Sequence, residues 1–244
     1  MNEAGVDGAA IVHASTCYGF DNSLVADAVA QYPERFTGVF SVDMLASDAA
    51  ERVRYWADRN LTGLRLFTAG STLAGQADWL ADPRSFAAWD CAAELGLPVC
   101  VQMRPAGMPQ LQVLLARYPN VRIIIDHCLG VSLESGPPYG DAEVLFDLVK
   151  HSNIYLKITP IIVDKSRLGA ATPETFFSRV VAEFGADRIA WGSNFPTNDG
   201  SLAELLQSCR EALSFATSAQ LEAIFCRTAE FLYPALRSTQ RADR

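Results

Sequence analysis

Seven short apolar stretches recur along the 244-residue chain, and their rhythm constrains the fold more than any other feature. Each stretch is rich in Ile, Val, Leu and Phe and is apolar nearly throughout, as a strand covered on both faces should be. The predicted strands are AAIVHAS (9–15), FTGVFSVD (36–43), GLRLF (63–67), PVCVQM (98–103), VRIIIDH (121–127), NIYLKIT (153–159) and RIAWGSN (188–194).

Helical patterns, with apolar residues at three- and four-residue spacing, separate and follow these strands. They are SLVADAVAQY (23–32), SDAAERVRYWADR (47–59), PRSFAAWDCAAEL (83–95), MPQLQVLLARY (108–118), AEVLFDLVK (142–150), TPETFFSRVVAEF (172–184) and SLAELLQSCREAL (201–213). Regular alternation of strand and helix is typical of a parallel sheet with crossover helices. The fold class is therefore α/β, with the sheet either doubly wound or closed into a barrel.

Loop lengths favour the barrel. The loops from a helix to the next strand are short, whereas several from a strand to the next helix are long, namely 68–82, 128–141 and 160–174. Long loops on one face are how a (β/α) barrel builds its site at the carboxyl ends of its strands. No glycine-rich nucleotide-binding motif follows any strand, which disfavours an open nucleotide-binding sheet. We predict a (β/α)8 TIM-barrel-like fold with seven visible strand–helix units.

The eighth unit is expected to be the first one, because a closed barrel needs eight strands. The start of the chain, NEAGVDG, reads as the tail of a helix, with Gly5 and Gly8 suited to ending it. We therefore expect the missing first strand to lie upstream of Met1. Residues 1–244 are predicted to form one domain, with 233–244 as a disordered tail.

Charge and hydropathy limit the kinds of partner that the protein is expected to bind. The net charge of −8 is spread without long basic or acidic runs, so we expect no binding to nucleic acid. No stretch approaches the roughly 18 apolar residues of a membrane span, and the N-terminus lacks a signal-peptide pattern. These features predict a soluble cytoplasmic protein with a small-molecule substrate and no contact with a membrane. An open sheet would expose two edges, and homo-oligomers are therefore expected.

A set of motifs in a fixed order resembles the amidohydrolase-2 family, in particular its pyrone-dicarboxylate lactonase-like branch. The motifs are VHASTCYGFDN, GLRLF, LPVCVQMRP, RIIIDHCLG, NIYLKIT, DRIAWGSNFP and IFCRTAEFLYP, and they run over nearly the whole chain. The resemblance implies a (β/α) barrel hydrolase acting on a small carboxylated or lactone-type substrate.

The family's metal site is only partly matched. Its His-x-His motif is absent, and Gln102 stands where a metal-binding branch tends to have histidine. His127 matches the family's histidine at a strand end, and Asn194 occupies the place of its acid. An amide orients a substrate or water by hydrogen bonds but cannot act as a base. We therefore favour hydrolysis without a metal ion.

Two alternatives stay open. One is a metal-dependent hydrolase or decarboxylase in which His127 and ligands supplied upstream of Met1 hold one zinc or manganese ion. The other is a catalytically silent barrel that binds a ligand or a partner.

The predicted site residues are assigned by position at strand ends. His127 is the acid or base, unless it is a hydrogen-bonded core histidine, and Asn194 orients substrate or water. Charged groups in buried strands must either pair internally or face the mouth of the barrel, which leaves both readings open for Lys157 and Arg65. The alternative for Arg104 is a solvated loop arginine. The predicted substrate-binding set is His13, Tyr18, Arg65, Gln102, Arg104 and Lys157.

Overall fold

Seven strands form one parallel sheet in the computed structural model, which describes residues 1–68 and 79–237. The strand order follows the chain, β1-β2-β3-β4-β5-β6-β7, and every neighbouring pair is parallel. The strands are β1 Ala9–Val12, β2 Phe36–Phe40, β3 Leu61–Phe67, β4 Val99–Gln102, β5 Ile123–Ile125, β6 Ile154–Ile158 and β7 Ile189–Trp191. All seven predicted strands are confirmed.

Helices follow the strands as predicted. The α-helices are α1 Ser15–Tyr18, α2 Ser23–Gln31, α3 Ala49–Ala57, α4 Phe86–Glu94, α5 Met108–Arg117, α6 Glu143–Phe146, α7 Pro160–Lys165, α8 Pro173–Phe184, α9 Leu202–Ala212, α10 Ser218–Glu222 and α11 Thr228–Leu232. A π-helical segment, Ala223–Arg227, joins the last two. The sequence patterns did not indicate α1 or α7, which lie in stretches read as loops, nor α10 and α11, which follow the last predicted helix.

The sheet curls so that one face encloses an interior. Side chains from both ends of the sheet, Ala10 and Val12 of β1 and Ala190 of β7, belong to one apolar cluster. Val39, Cys100, Ile124 and Tyr155, from strands between these edges, belong to the same cluster. The opposite face packs under the helices in the main hydrophobic core. The fold is thus TIM-barrel-like, with seven described strands where a closed barrel has eight.

The C-terminal segment closes one end of this interior. Leu232 and Tyr233 are buried, with 1% and 5% of their surface exposed, and belong to the interior cluster. Pro234–Leu236 form a turn of 3-10 helix. The predicted disordered tail at 233–244 was therefore wrong for residues 233–237, and the remainder, 238–244, lies outside the described residues. At the other terminus, Asn2–Ala4 form a 3-10 turn that ends at Gly5 with a φ of 65°, as predicted for that glycine.

Parallel strands place all their carboxyl ends at one edge of the sheet. The residues that follow the strands at this edge include His13, Asp126, Thr159 and Gly192, and Gln102 is the last residue of β4. The predicted long loop at 68–82 lies for the most part outside the described residues. Within the described ranges, no helix is both long and apolar enough to cross a membrane.

Candidate active site

A buried carboxylate, Asp126, lies at the centre of the carboxyl edge. It follows β5 directly and is 1% exposed. Its Oδ2 lies 2.9 Å from Nε of Arg65 on β3, and its Oδ1 lies 2.6 Å from Nζ of Lys157 on β6. The Arg65 guanidinium also donates a hydrogen bond to the Gln102 side-chain oxygen on β4. Four neighbouring strands thus contribute to one polar network.

The network carries an excess of positive charge, because two cations share one carboxylate. Burial by itself would raise the pKa of Asp126, but Arg65 and Lys157 outweigh it and lower the pKa to about 2. Burial would likewise lower the pKa of Lys157, yet the Asp126 carboxylate raises it. All three groups are charged at neutral pH. The side chains of Arg65 and Lys157 remain 10% and 15% exposed, so the surplus charge is within reach of the mouth.

His127 stands next to this network on an unusual turn. His127, Cys128 and Leu129 have φ angles of 53°, 48° and 64°, in the left-handed region. Left-handed backbone costs a non-glycine residue roughly 1–2 kcal/mol. The turn is held from outside by Lys165 on α7, whose Nζ donates to the Gly130 carbonyl at 2.7 Å. Strain of this kind is found where a side chain must be aimed, and here it directs the half-buried imidazole.

The imidazole of His127 is held neutral. Burial lowers its pKa, nearby Arg65, Lys157 and Arg104 lower it further, Asp126 opposes them, and the net result is a pKa of about 4. Nδ1 of the ring lies 2.7 Å from the hydroxyl of Thr159, the residue after β6. When the proton is on Nδ1 and donated to Thr159, Nε2 is the nitrogen that can accept a proton. A neutral imidazole in that tautomer is chemically able to act as a base.

Arg104 brings a further cation to the same turn. Its Nη1 lies 2.9 Å from the point where a Cβ on Gly130 would stand, so the guanidinium lies directly over this glycine. The residue as a whole is exposed. Burial lowers the pKa of Lys165, and the positive charge of Arg104 adds to that effect. Cations thus border His127 on two sides.

Asn194 lies beyond the end of β7 in a left-handed conformation, with a φ of 51°. Asparagine adopts this conformation more readily than most residues, which is a local reason for its presence. Its Nδ2 donates to Oδ1 of Asn198 at 2.7 Å. Strand β7 approaches the network through Gly192, where a Cβ would stand 2.9 Å from Cδ of Lys157. The role of Asn194 toward a substrate stays a prediction.

His13 and Tyr18 are placed differently from the network residues. His13 is 2% exposed, and its Nε2 lies 2.9 Å from the Gly19 carbonyl in the loop that follows β1. Tyr18 is 54% exposed, with its ring 6.3 Å from the His13 ring. The contacts of His13 indicate support of its own loop, and substrate binding by either residue stays a prediction.

Three residues of the site were missed by the sequence analysis. Asp126 was read only as the neighbour of His127, although an acid that ends a run of three isoleucines is a signal for a buried ion pair. No sequence pattern pointed to Thr159 or Lys165, because their contacts with the His127 turn depend on how α7 packs against it. The structure shows Lys157 and Arg65 in an interior ion pair with Asp126.

The donors present do not fit a zinc or manganese ion. Within residues 1–68 and 79–237, no group of three or more His, Cys, Asp and Glu is placed to hold a metal. Asp126, the carboxylate nearest His127 in the chain, has both oxygens against cations. A divalent cation beside Arg65 and Lys157 would meet strong repulsion.

A separate cleft of about 430 Å³ lies elsewhere on the protein. It is lined by Pro137, Pro138, Tyr139, Gly140, Glu143, Thr175 and Arg179. None of these residues belongs to the network around Asp126, and Arg179 is already paired with Glu143 and Glu183. The carboxyl edge of the sheet, rather than this cleft, carries the reactive groups.

The curled parallel sheet and its charged carboxyl edge define a (β/α)-barrel scaffold of the kind found in hydrolases. The family model for amidohydrolases matches residues 1–235, and the chain belongs to the amidohydrolase family.

Two curated relatives are lactone hydrolases. An L-fucono-1,5-lactonase from Burkholderia ambifaria is 28% identical over 159 residues, which are 64% of this chain and 54% of the relative. A 4-sulfomuconolactone hydrolase from Rhizobium radiobacter is 25% identical over 198 residues, 80% of this chain and 63% of the relative. The chain therefore spans less than two thirds of the length of the curated relatives it matches.

Among solved structures, a probable 2-pyrone-4,6-dicarboxylic acid hydrolase from Acinetobacter baumannii, with citric acid bound, superposes with a TM-score of 0.74. It is 19% identical, and the match covers 96% of this chain and 85% of that one. At this identity the likeness shows the fold alone.

Proposed function

We propose that the protein hydrolyses a lactone bearing a carboxylate or similar anionic group, with His127 as acid and base and without a metal ion. The observation that carries the proposal is the neutral His127 imidazole beside a surplus of positive charge at the carboxyl edge. The names of the two curated relatives, both lactone hydrolases, support the same class of reaction.

The roles follow from the contacts. Nε2 of His127 takes a proton from water as the water oxygen adds to the lactone carbonyl carbon. The carbonyl oxygen becomes an oxyanion, which Lys157 and Arg65 stabilise. The ring C–O bond then breaks, and the His127 imidazolium returns its proton to the departing alkoxide. The products are an alcohol and a carboxylic acid, which releases its proton to the solvent as it ionises to a carboxylate, and the imidazole is neutral again.

Substrate charge is matched by the remaining groups. Arg104 lies at the exposed side of the His127 turn, where its planar guanidinium suits a carboxylate or sulfonate. Gln102 holds the Arg65 guanidinium, and we assign Asn194 to orienting the substrate or water. The further expectations, namely a cytoplasmic location, homo-oligomers and no nucleic-acid partner, rest on the sequence pattern.

A lactone panel tests the proposal. The purified protein is assayed with a pH indicator on sugar lactones and on carboxylated and sulfonated five- and six-membered lactones, with and without added Zn²⁺ or Mn²⁺. His127→Asn keeps an amide able to contact Thr159 and should lower kcat by about 10²–10⁴-fold. The matched control is His151→Asn, because His151 lies outside the site at the end of a helical stretch.

Each outcome decides between the hypotheses. Turnover by the wild type that is lost in His127→Asn and kept in His151→Asn supports the proposal. Turnover only with added metal overturns the metal-free mechanism. Absence of turnover under every condition supports the silent barrel instead.

A further inference from the structure

Tyr233, from the C-terminal segment, reaches into the interior of the sheet. It directly follows α11 and is 5% exposed within the interior cluster. A Cβ built on Gly63 of β3 would stand 2.7 Å from Cε1 of the Tyr233 ring. Only glycine at position 63 leaves this space, so β3 is shaped to receive the tyrosine ring.

The Tyr233 hydroxyl connects this insertion to the site. Its oxygen lies 3.2 Å from Sγ of Cys100 on β4, and Cys100 is fully buried. Sγ of Cys100 in turn lies 3.7 Å from Nζ of Lys157. Burial raises the pKa of Tyr233 well above its ordinary value, so the group remains a neutral hydroxyl. The thiol is thus held between a hydroxyl on one side and an ammonium on the other.

The ammonium of Lys157 has three N–H donors. Within the described residues, one N–H faces Oδ1 of Asp126 at 2.6 Å and another faces Sγ of Cys100 at 3.7 Å. The third remains for a group that enters from the exposed side of the lysine. The direction of that donor depends on both internal contacts, because together they fix the position of Nζ, whereas the loss of one lets the lysine side chain shift about its own torsions.

We propose that Tyr233 is a positioning residue that aims the Lys157 ammonium at the substrate through Cys100. The part of the proposal that concerns substrate rests on the proposed hydrolysis, whereas the positioning itself does not. The C-terminal segment therefore lies beneath the site and sets how well the Lys157 ammonium stabilises the oxyanion. Tyr233 itself touches neither substrate nor reacting atoms.

Matched variants separate positioning from stability. Tyr233→Phe removes only the hydroxyl. Cys100→Ala removes the thiol between Tyr233 and Lys157, whereas Cys100→Ser keeps a polar, though shorter, side chain between them. Gly63→Ala displaces the ring from the opposite side. The control is Tyr155→Phe, since Tyr155 belongs to the same interior cluster but stacks on Phe231.

The readout independent of activity is the Lys157 amine signal. The chain has three lysines, Lys150, Lys157 and Lys165, so ¹⁵N-labelled lysine gives three side-chain NH₃⁺ resonances, and Lys157→Met identifies the one in question. We expect Tyr233→Phe and Gly63→Ala to shift the Lys157 signal and leave the other two in place. Tyr155→Phe should shift none of them.

The kinetic readout is a split between KM and kcat. Tyr233→Phe should lower kcat for a carboxylated lactone about fivefold, the equivalent of one neutral hydrogen bond, with KM changed less than about twofold, because Lys157 acts on the oxyanion and not on the bound ground state. Cys100→Ser should lie between wild type and Cys100→Ala. An unmoved Lys157 signal in Tyr233→Phe, or an equal shift in Tyr155→Phe, overturns the positioning role. If the wild type hydrolyses no lactone, the proposed function fails while the NMR result still decides the positioning role.

Discussion

Replacing Asp126 by asparagine tests the charge balance of the buried network. The substitution keeps the shape of the side chain but leaves Arg65 and Lys157 buried without their shared carboxylate. Removing one partner of a buried ion pair costs about 3–5 kcal/mol of unfolding free energy. Lys157→Met, in contrast, leaves the Arg65–Asp126 pair at 2.9 Å intact and neutral. Its cost should be near that of one lost charged hydrogen bond, about 1.5–3 kcal/mol.

The double variant makes the argument quantitative. The Asp126→Asn, Lys157→Met double variant no longer contains one of the two uncompensated cations. Its loss of unfolding free energy should therefore be about 1–3 kcal/mol smaller than the sum of the losses in the two single variants. The assay is urea unfolding followed by circular dichroism at neutral pH, where all three groups of the wild type are charged. The reasoning is refuted if Lys157→Met costs as much as Asp126→Asn, or if the two losses add.

Three further perturbations follow from particular contacts. The pKa of His127 is lowered from 6.5 to about 4 in the folded state. As the pH falls from about 6.5 to about 4, the unfolded chain binds a proton that the folded protein does not. The free energy of unfolding should therefore fall by up to about 3 kcal/mol over this pH range. Urea titrations at several pH values should show that the unfolding free energy of His127→Asn depends less on pH than that of the wild type. The fully buried Asn22 donates to the Ser41 carbonyl at 3.0 Å and accepts from the Ser41 N–H at 2.9 Å. Asn22→Ala leaves both groups unpaired and should lower the thermal midpoint, with a cost of about 3 kcal/mol; a shift equal to that of an exposed Asn→Ala control contradicts this. At Asn194, where φ is 51°, Ala should be about 1–2 kcal/mol less stable than Gly, since both lose the side chain and only Ala is strained; equal stabilities would contradict it.

The strand order and the location of the site were predictable because both depend on local patterns. A fully apolar run such as Ile123–Ile125 predicts a buried parallel strand, and parallel strands bring their carboxyl ends together. Lys157 on such a strand already required either an internal partner or the mouth of the barrel. The partner itself was not predictable, because Asp126 and Lys157 lie on separate strands and meet only through the register of β5 and β6.

The left-handed turn at His127 and the insertion of Tyr233 were not predictable for a different reason. Cys128 and Leu129 carry no local preference for positive φ, and tertiary contacts such as that of Lys165 hold the turn in this conformation. Tyr233 was predicted to lie in a disordered tail, although it is buried in the structure. Its burial depends on the space over Gly63, which is visible only once β3 is in place.

The pKa of the His127 imidazole tests the central claim most directly, because it responds to every charge gathered at the carboxyl edge. The chain has three histidines, His13, His127 and His151, so each is resolved in an NMR titration of the ring carbons. In the wild type, His127 should titrate at about 4. Its pKa should rise in Lys157→Met, which removes a nearby cation, and fall in Asp126→Asn, which removes the nearby anion. A His127 pKa near 6.5 that neither variant moves would contradict the account, because the three side chains would then not share one site.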